Sequence, residues 1–231
     1  MRHGRWFALA LAGCAALAAR PAAGAAQAAG AAQARQDSLD ARVRRVLGGR
    51  RWYDMNVPAT DGRVLYDLIV QRRFTRVLEV GTSTGHSGIW MAWALTRTGG
   101  RLVTIEIDAG RHAEAVRNFR EAGLAEYVDA RLADAHELVP ALPGPFDLAF
   151  LDADKDWNAR YFEAILPKLA PGGCVATHNI SRRRWAGRGG RGGEGGDYLA
   201  VVERTPGLTT EFVGTSMALS CRTAAAQPAG R

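Results

Sequence analysis

The chain is short of lysine, cysteine and long apolar runs. Its 30 basic residues are arginines except for Lys155 and Lys168. A retained lysine therefore stands out, because Lys can give up its proton in a protein interior and Arg in effect cannot. Only Cys14, Cys174 and Cys221 are cysteines, and no two have the spacing of a metal-ligand pair. Cys174 and Cys221 sit in apolar, strand-like runs, which predicts two buried free thiols. No apolar run reaches the roughly 20 residues of a membrane-spanning helix, so no transmembrane domain is expected in the mature chain. The net charge is +7. Residues 1–35 hold Arg2, Arg5, Arg20 and Arg35 and no acid, so 7 − 4 leaves +3 for the rest. That excess is too small to argue for a nucleic-acid partner.

What is present begins with an export-like leader. Arg2, His3 and Arg5 form a basic start, and Trp6 to Leu17 is apolar and small, as in a secretory signal. Ala26-Gln27-Ala28 offers a small-x-small cleavage site, while Leu11-Ala12-Gly13-Cys14 has the form of a lipidation site. Residues 1–36 are expected to be leader plus an Ala/Gly-rich linker, and the protein to be exported or membrane-anchored. A misassigned start codon would instead leave it cytoplasmic.

From residue 37 onward, apolar runs alternate with helical patterns, as expected of one domain over 37–231. Helices are predicted over Ser38–Leu47, with Asp37 or Ser38 as cap, and over Asp61–Gln71, His86–Leu95, Ala109–Ala122, Trp157–Leu169 and Tyr198–Arg204. Strands are predicted at Arg76–Val80, Leu102–Ile107, Tyr127–Leu132, Phe146–Leu151, Cys174–Thr177, Thr209–Val213 and Met217–Cys221. Pro171-Gly172-Gly173 is expected to stop the helix before the fifth strand. Such alternation means an α/β fold with a mostly parallel sheet and helices on both faces. The last two strands, close in sequence, should pair antiparallel at one edge. Residues 181–197, rich in Gly and Arg, should form a flexible loop able to meet an anionic acceptor. Residues 223–231 should be a disordered tail.

Ligands of such sheets bind beyond the carboxyl ends of the strands, where several polar residues fall. Leu78-Glu79-Val80-Gly81-Thr82-Ser83-Thr84-Gly85-His86-Ser87 is a strand followed by a glycine turn and a helix start. Its Gly-x-x-x-Gly spacing differs from a dinucleotide fingerprint, since Ser83 stands where a pyrophosphate needs glycine. Glu106 ends the second strand and can accept both hydroxyls of a ribose. Asp134 and Ala135 follow the third strand, where an adenine amino group can be met; Asp134 can also cap a helix at His136. Asp152-Ala153-Asp154-Lys155-Asp156 ends the fourth strand. A carboxylate there can hold a hard cation, and Lys155 can act as general base on a hydroxyl. His178-Asn179 ends the fifth strand, and neighbouring strand tips should bring it beside Asp152.

Together these segments, from about Tyr53 to Arg222, resemble the catechol and caffeoyl-coenzyme A O-methyltransferases. The resemblance implies a Rossmann-like, doubly wound, seven-stranded sheet and S-adenosylmethionine as cofactor. It implies transfer of a methyl group to a hydroxyl oxygen of a small acceptor, aromatic ones included. Met55-Asn56-Val57-Pro58-Ala59 with Gly62 resembles the segment that covers the cofactor. Cofactor contacts are then implied for Val57, Glu79, Gly81, Ser83, Gly85, Ser87, Glu106, Asp134, Ala135 and Asp152. Catalytic roles are implied for Asp152 and Lys155, and metal ligation for Asp152 and Asn179. The family has Asp-Asn where this chain has His178-Asn179. A His ligand suits ions softer than Mg²⁺, so His178 is expected either to ligate such an ion or to serve as the base. A homodimer is implied by analogy. The alternatives are a non-catalytic domain that binds the cofactor or its demethylated product, and a tRNA methyltransferase.

Overall fold

The computed structural model describes residues 20–49, 51–52, 55–180 and 196–223. The expected leader core, the Gly/Arg loop and the C-terminal tail lie largely outside them. Two compact units are distinguished, Met1–Leu39 and Asp40–Arg231.

The Ala/Gly-rich stretch is helical over its described part. Helix α1 runs over Arg20–Gly48, so Asp37 and Ser38 lie inside it and do not cap it. Alanine has the highest helix propensity of any residue, and a long alanine-rich run offsets the roughly 1 kcal/mol cost of each interior glycine. No helix among the described residues is long and apolar enough to cross a membrane.

The second unit is built on alternation of strand and helix. In chain order come α2 (Ala59–Arg72), β1 (Arg76–Val80), α3 (His86–Thr98), β2 (Arg101–Glu106), α4 (Ala109–Ala122) and β3 (Val128–Leu132). Then follow α5 (Ala135–Ala141), β4 (Phe146–Leu151), α6 (Asn158–Ile165), β5 (Leu169–His178), α7 (Gly196–Arg204), β6 (Leu208–Val213) and β7 (Met217–Arg222). Among the described residues, the seven strands form one sheet of order β3-β2-β1-β4-β5-β7-β6. All neighbours pair in parallel except β5 with β7 and β6 with β7, which are antiparallel. The order reverses between β1 and β4, and that switch point places the crevice over their carboxyl ends.

Local chemistry explains the boundaries. Asp108 caps α4 through Arg111 N–H, and Gly123 closes it in the left-handed conformation. Leu148, Ala149, Phe150 and Leu151 of β4 are all wholly buried, as expected of a parallel strand covered on both faces. Burying a side chain of that size contributes about 1.5–3 kcal/mol.

Several boundaries shift from expectation by one to three residues, and two larger differences have a visible cause. β5 begins at Leu169 and runs through Pro171-Gly172-Gly173 rather than after it. Pairing jumps from Phe146–Leu169 to Leu148–Cys174, so the extra β5 residues bulge out, with Gly172 at φ 72. The predicted Trp157–Leu169 helix is cut short because Leu166–Lys168 tightens into a 3₁₀ turn; Pro167 lacks the N–H that an α-helix would use.

The thiol expectation is also corrected. Cys174 and Cys221 are directly opposed on β5 and β7, and they form a disulfide. Each looks like a lone apolar cysteine in sequence, and only strand register brings them together.

Candidate active site

Backbone geometry at the β1 tip shapes one wall. Gly81, at φ 98, and Thr82 both donate their N–H to Ile105 O at 3.1 Å. A Cβ at Gly81 would lie 2.7 Å from Asp152 O, so only glycine lets β1 and β4 close on each other here. Glu106 accepts Ser83 N–H at 2.7 Å on Oε2 and Asp108 N–H at 3.0 Å on Oε1. Its carboxylate is thereby fixed, with further lone pairs for a diol. Asp134 accepts His136 N–H and caps α5, as the sequence allowed.

These groups and the β4–β5 tips line a single cavity of about 750 Å³, within the usual range for a small-molecule site. Its wall includes Gly81, Ser83, Glu106, Asp134 and Ala135 on one side, and Asp152, Lys155, His178 and Asn179 on the other. Ser83 Oγ is buried with no hydrogen-bond partner, an orphaned polar atom in the wall that a polar ligand would satisfy.

Four residues expected to touch the cofactor do not line this cavity: Val57, Glu79, Gly85 and Ser87. They brace it from behind. Glu79 is wholly buried and accepts hydrogen bonds from Ser87 Oγ at 2.5 Å and Thr104 Oγ1 at 2.6 Å. Burial pushes its pKa up to about 8, more than the two hydroxyls pull it down. Gly85 caps α3 at φ 93, where a Cβ would crowd Phe119. Val57 O is held by His86 Nδ1 at 2.9 Å, and burial lowers the His86 pKa to about 4. A neutral ring with Nδ1–H donating thus ties the covering segment to α3. Asn56 Nδ2 donates to Thr84 Oγ1 at 3.0 Å, a second tie.

The reaction side is a chain of ion pairs. Lys155 Nζ lies 2.6 Å from Asp152 Oδ1. The same oxygen lies 3.3 Å from His178 Nδ1, and His178 Nε2 lies 3.0 Å from Asp61 Oδ2. Asp61 is wholly buried and also accepts Thr215 N–H at 2.7 Å and Thr215 Oγ1–H at 2.6 Å. Burial alone would lower the His178 pKa, but hydrogen bonds and attraction from Asp152 and Asp61 outweigh it and raise it.

Asp61 was not identifiable from sequence as a site residue, since it reads as an ordinary acid in the first turn of a helix. His136, Asp154 and Tyr161 are likewise additions to the wall. Tyr161 donates to Asp154 at 3.0 Å, and His136 Nε2 lies 3.1 Å from the other oxygen of the same carboxylate.

The metal expectation for Asp152, His178 and Asn179 fares differently. Among the described residues no group of three or more His, Cys, Asp or Glu side chains could hold an ion. Both His178 nitrogens face carboxylate oxygens, and Asp152 Oδ1 already meets Lys155 and His178. The residues present do not fit a divalent ion, because Asp61 and both His178 nitrogens are engaged with one another, with Asp152 and with Thr215, and no three such donors converge on a common point among the described residues.

The comparisons with known proteins agree with this geometry. Residues 78–180 match the family model described as a methyltransferase domain. A catechol O-methyltransferase of Niastella koreensis is 37% identical over 132 residues, covering 55% of this chain and 59% of the relative. One of Mycobacterium tuberculosis is 38% identical over 128 residues, covering 54% and 57%. The chain thus matches between half and two thirds of these curated relatives' length. An O-methyltransferase of Bacillus cereus, solved with S-adenosylhomocysteine, superposes with TM-score 0.68 at 26% identity, covering 80% of this chain and 90% of its own. One of Streptomyces achromogenes, solved with S-adenosylmethionine, gives TM-score 0.66 at 28% identity, covering 80% and 89%. Residues 78–180 thus match a methyltransferase-domain model, and the chain is similar in sequence to catechol and caffeoyl-CoA O-methyltransferases and in its Rossmann-like fold to solved O-methyltransferases.

Proposed function

We propose that this protein transfers a methyl group from S-adenosylmethionine to a hydroxyl oxygen of a small acceptor. One observation carries the reading: a single cavity holds the Glu106–Ser83 cradle on one side and the Asp152–Lys155 pair on the other. The cofactor, when bound, supplies a methyl group on a positively charged sulfur. Glu106 receives the ribose hydroxyls, Ser83 offers its orphaned hydroxyl, and Asp134 and Ala135 border the adenine. The Asp152–Lys155 pair meets the acceptor hydroxyl and takes its proton as the oxygen attacks. Orienting the two partners in one closed space is the main contribution of the protein.

Lys155→Ala tests this. Titration with S-adenosylhomocysteine should give unchanged affinity, while methyl transfer to a panel of phenols and catechols falls 10²-fold or more, on the order expected for a lost acid–base group. Parallel loss of both would assign Lys155 a structural role, and binding without transfer by the unmodified protein would leave a cofactor-binding domain.

The Cys174–Cys221 disulfide supports the export expectation, since such bonds persist in oxidising compartments. Fractionation of the native host, with the protein found only in the cytoplasm, would refute export.

A further inference from the structure

We propose that this site works without a divalent ion, the Asp61–His178–Asp152–Lys155 chain of ion pairs filling the place a cation would take. The proposal deepens the methyl-transfer reading and rests on it for its catalytic meaning.

The argument starts from the ring. His178 Nε2 lies 3.0 Å from Asp61 Oδ2 and Nδ1 lies 3.3 Å from Asp152 Oδ1. A carboxylate can only accept, so each ring nitrogen donates. A ring that donates from both nitrogens has no lone pair left for a metal. Asp152 Oδ1 is moreover shared with Lys155 Nζ at 2.6 Å. Asp61 thus meets His178 and Thr215, and Asp152 Oδ1 meets His178 and Lys155, so the groups that would face an ion are already bonded to one another.

Asp61 makes the arrangement specific. It is 0% exposed, and a buried carboxylate persists only when it is paired and hydrogen-bonded. Its partners are Thr215, in the β6–β7 turn, and His178, at the end of β5. The pair therefore ties α2, β5 and the β6–β7 turn together at the cavity rim. An ion bound by strand-tip carboxylates would serve the same two ends: it would join the elements and place positive charge beside Asp152. His178, held by Asp61, does both with side chains alone. An aspartate at position 178 would leave Asp61, Asp152 and itself facing one another with only Lys155 to balance them, which is a cation site.

Isothermal titration of the full-length protein with MgCl₂, MnCl₂ and ZnCl₂, repeated on His178→Asp, tests the proposal. The unmodified protein is expected to take up no ion at this site and to keep its turnover in EDTA. Folded His178→Asp is expected to gain binding with Kd on the order of 10⁻³ M or tighter. One equivalent of ion bound by the unmodified protein and lost in His178→Ala overturns the proposal. So does a folded His178→Asp that takes up no ion, because the ring would then not be what fills the position. Should His178→Asp fail to fold, ¹⁵N NMR of the His178 ring in the unmodified protein decides. Two protonated nitrogens at pH 7 are expected, and one bare nitrogen overturns the proposal. Metal uptake and the ring spectrum are read without an acceptor, so failure here is distinct from failure of the methyl-transfer reading, which shows as absent S-adenosylhomocysteine binding or absent transfer.

Discussion

Replacing Glu79 with Gln should make the protein more stable in mild alkali relative to the unmodified chain, and less so in acid. Glu79 has no solvent access, and its carboxyl pKa is raised from 4.5 to about 8, chiefly by burial. In the unfolded chain the group ionises near its ordinary value. Below pH 4.5 it is protonated in both states and burial costs little. Between 4.5 and 8 the unfolded chain ionises while the folded one holds its proton, so stability falls as pH rises. Above 8 both are ionised and the full penalty of a buried charge is present. Each pH unit of that interval is worth about 1.4 kcal/mol, so the loss is on the order of 5 kcal/mol as an upper bound. That is comparable with the whole stability of many domains. A glutamine keeps the shape and can still accept from Ser87 or Thr104, at a cost of about 1 kcal/mol for one imperfect bond. Urea unfolding followed by tryptophan fluorescence at pH 5, 7 and 8.5 measures both curves. The stability difference between variant and unmodified protein should swing in favour of the variant by several kcal/mol from pH 5 to 8.5. A difference that stays constant over that range would refute the reasoning, because it would mean that the Ser87 and Thr104 hydroxyls hold Glu79 ionised in the fold throughout.

Two further substitutions test the frame of the site. Gly81→Ala forces a left-handed backbone on a residue with a Cβ, about 1–2 kcal/mol, and presses that Cβ onto the Asp152 backbone, a further 1–3 kcal/mol. Thermal unfolding should shift down by roughly 5–15 °C, and an unchanged melt would show that the β1–β4 junction is looser than described. The double change Cys174→Ser and Cys221→Ser opens a link spanning 47 residues and should cost about 4 kcal/mol in chemical denaturation. Thiol titration of denatured, unreduced protein should label neither cysteine; labelling of both would refute the disulfide.

Periodicity explains why much of the fold was legible. β1, α4 and β4 have the predicted bounds, because each is a strong local signal: a short apolar-rich strand before glycine, a capped amphipathic helix, a continuous apolar strand. β5 was not, because the bulge through Pro171-Gly172-Gly173 is stabilised by pairing with β4, and local rules read those residues as a stop. The helix expected from Ser38 starts earlier, at Arg20, because the alanine-rich stretch before it has high helix propensity. Within the site, Glu106, Asp134 and Asp152 follow strand ends, and strand ends in such sheets face the ligand. Glu79 and Ser87 carry the same motif, yet they point into the core. A strand alternates its side chains, and which of two neighbours faces the cavity depends on the sheet that covers it.

The chain by itself determined the strand–helix alternation, the glycine turn after β1 and the lysine beside Asp152, since each depends on residues close in sequence. Tertiary structure decided the pairings between distant residues. Cys174 meets Cys221 because β5 and β7 run antiparallel in one register. His178 meets Asp61, 117 positions away, because α2 and the end of β5 converge at the cavity rim. A buried carboxylate needs a partner, but which residue supplies it is set by the packing of whole elements and is written nowhere near Asp61 in the sequence.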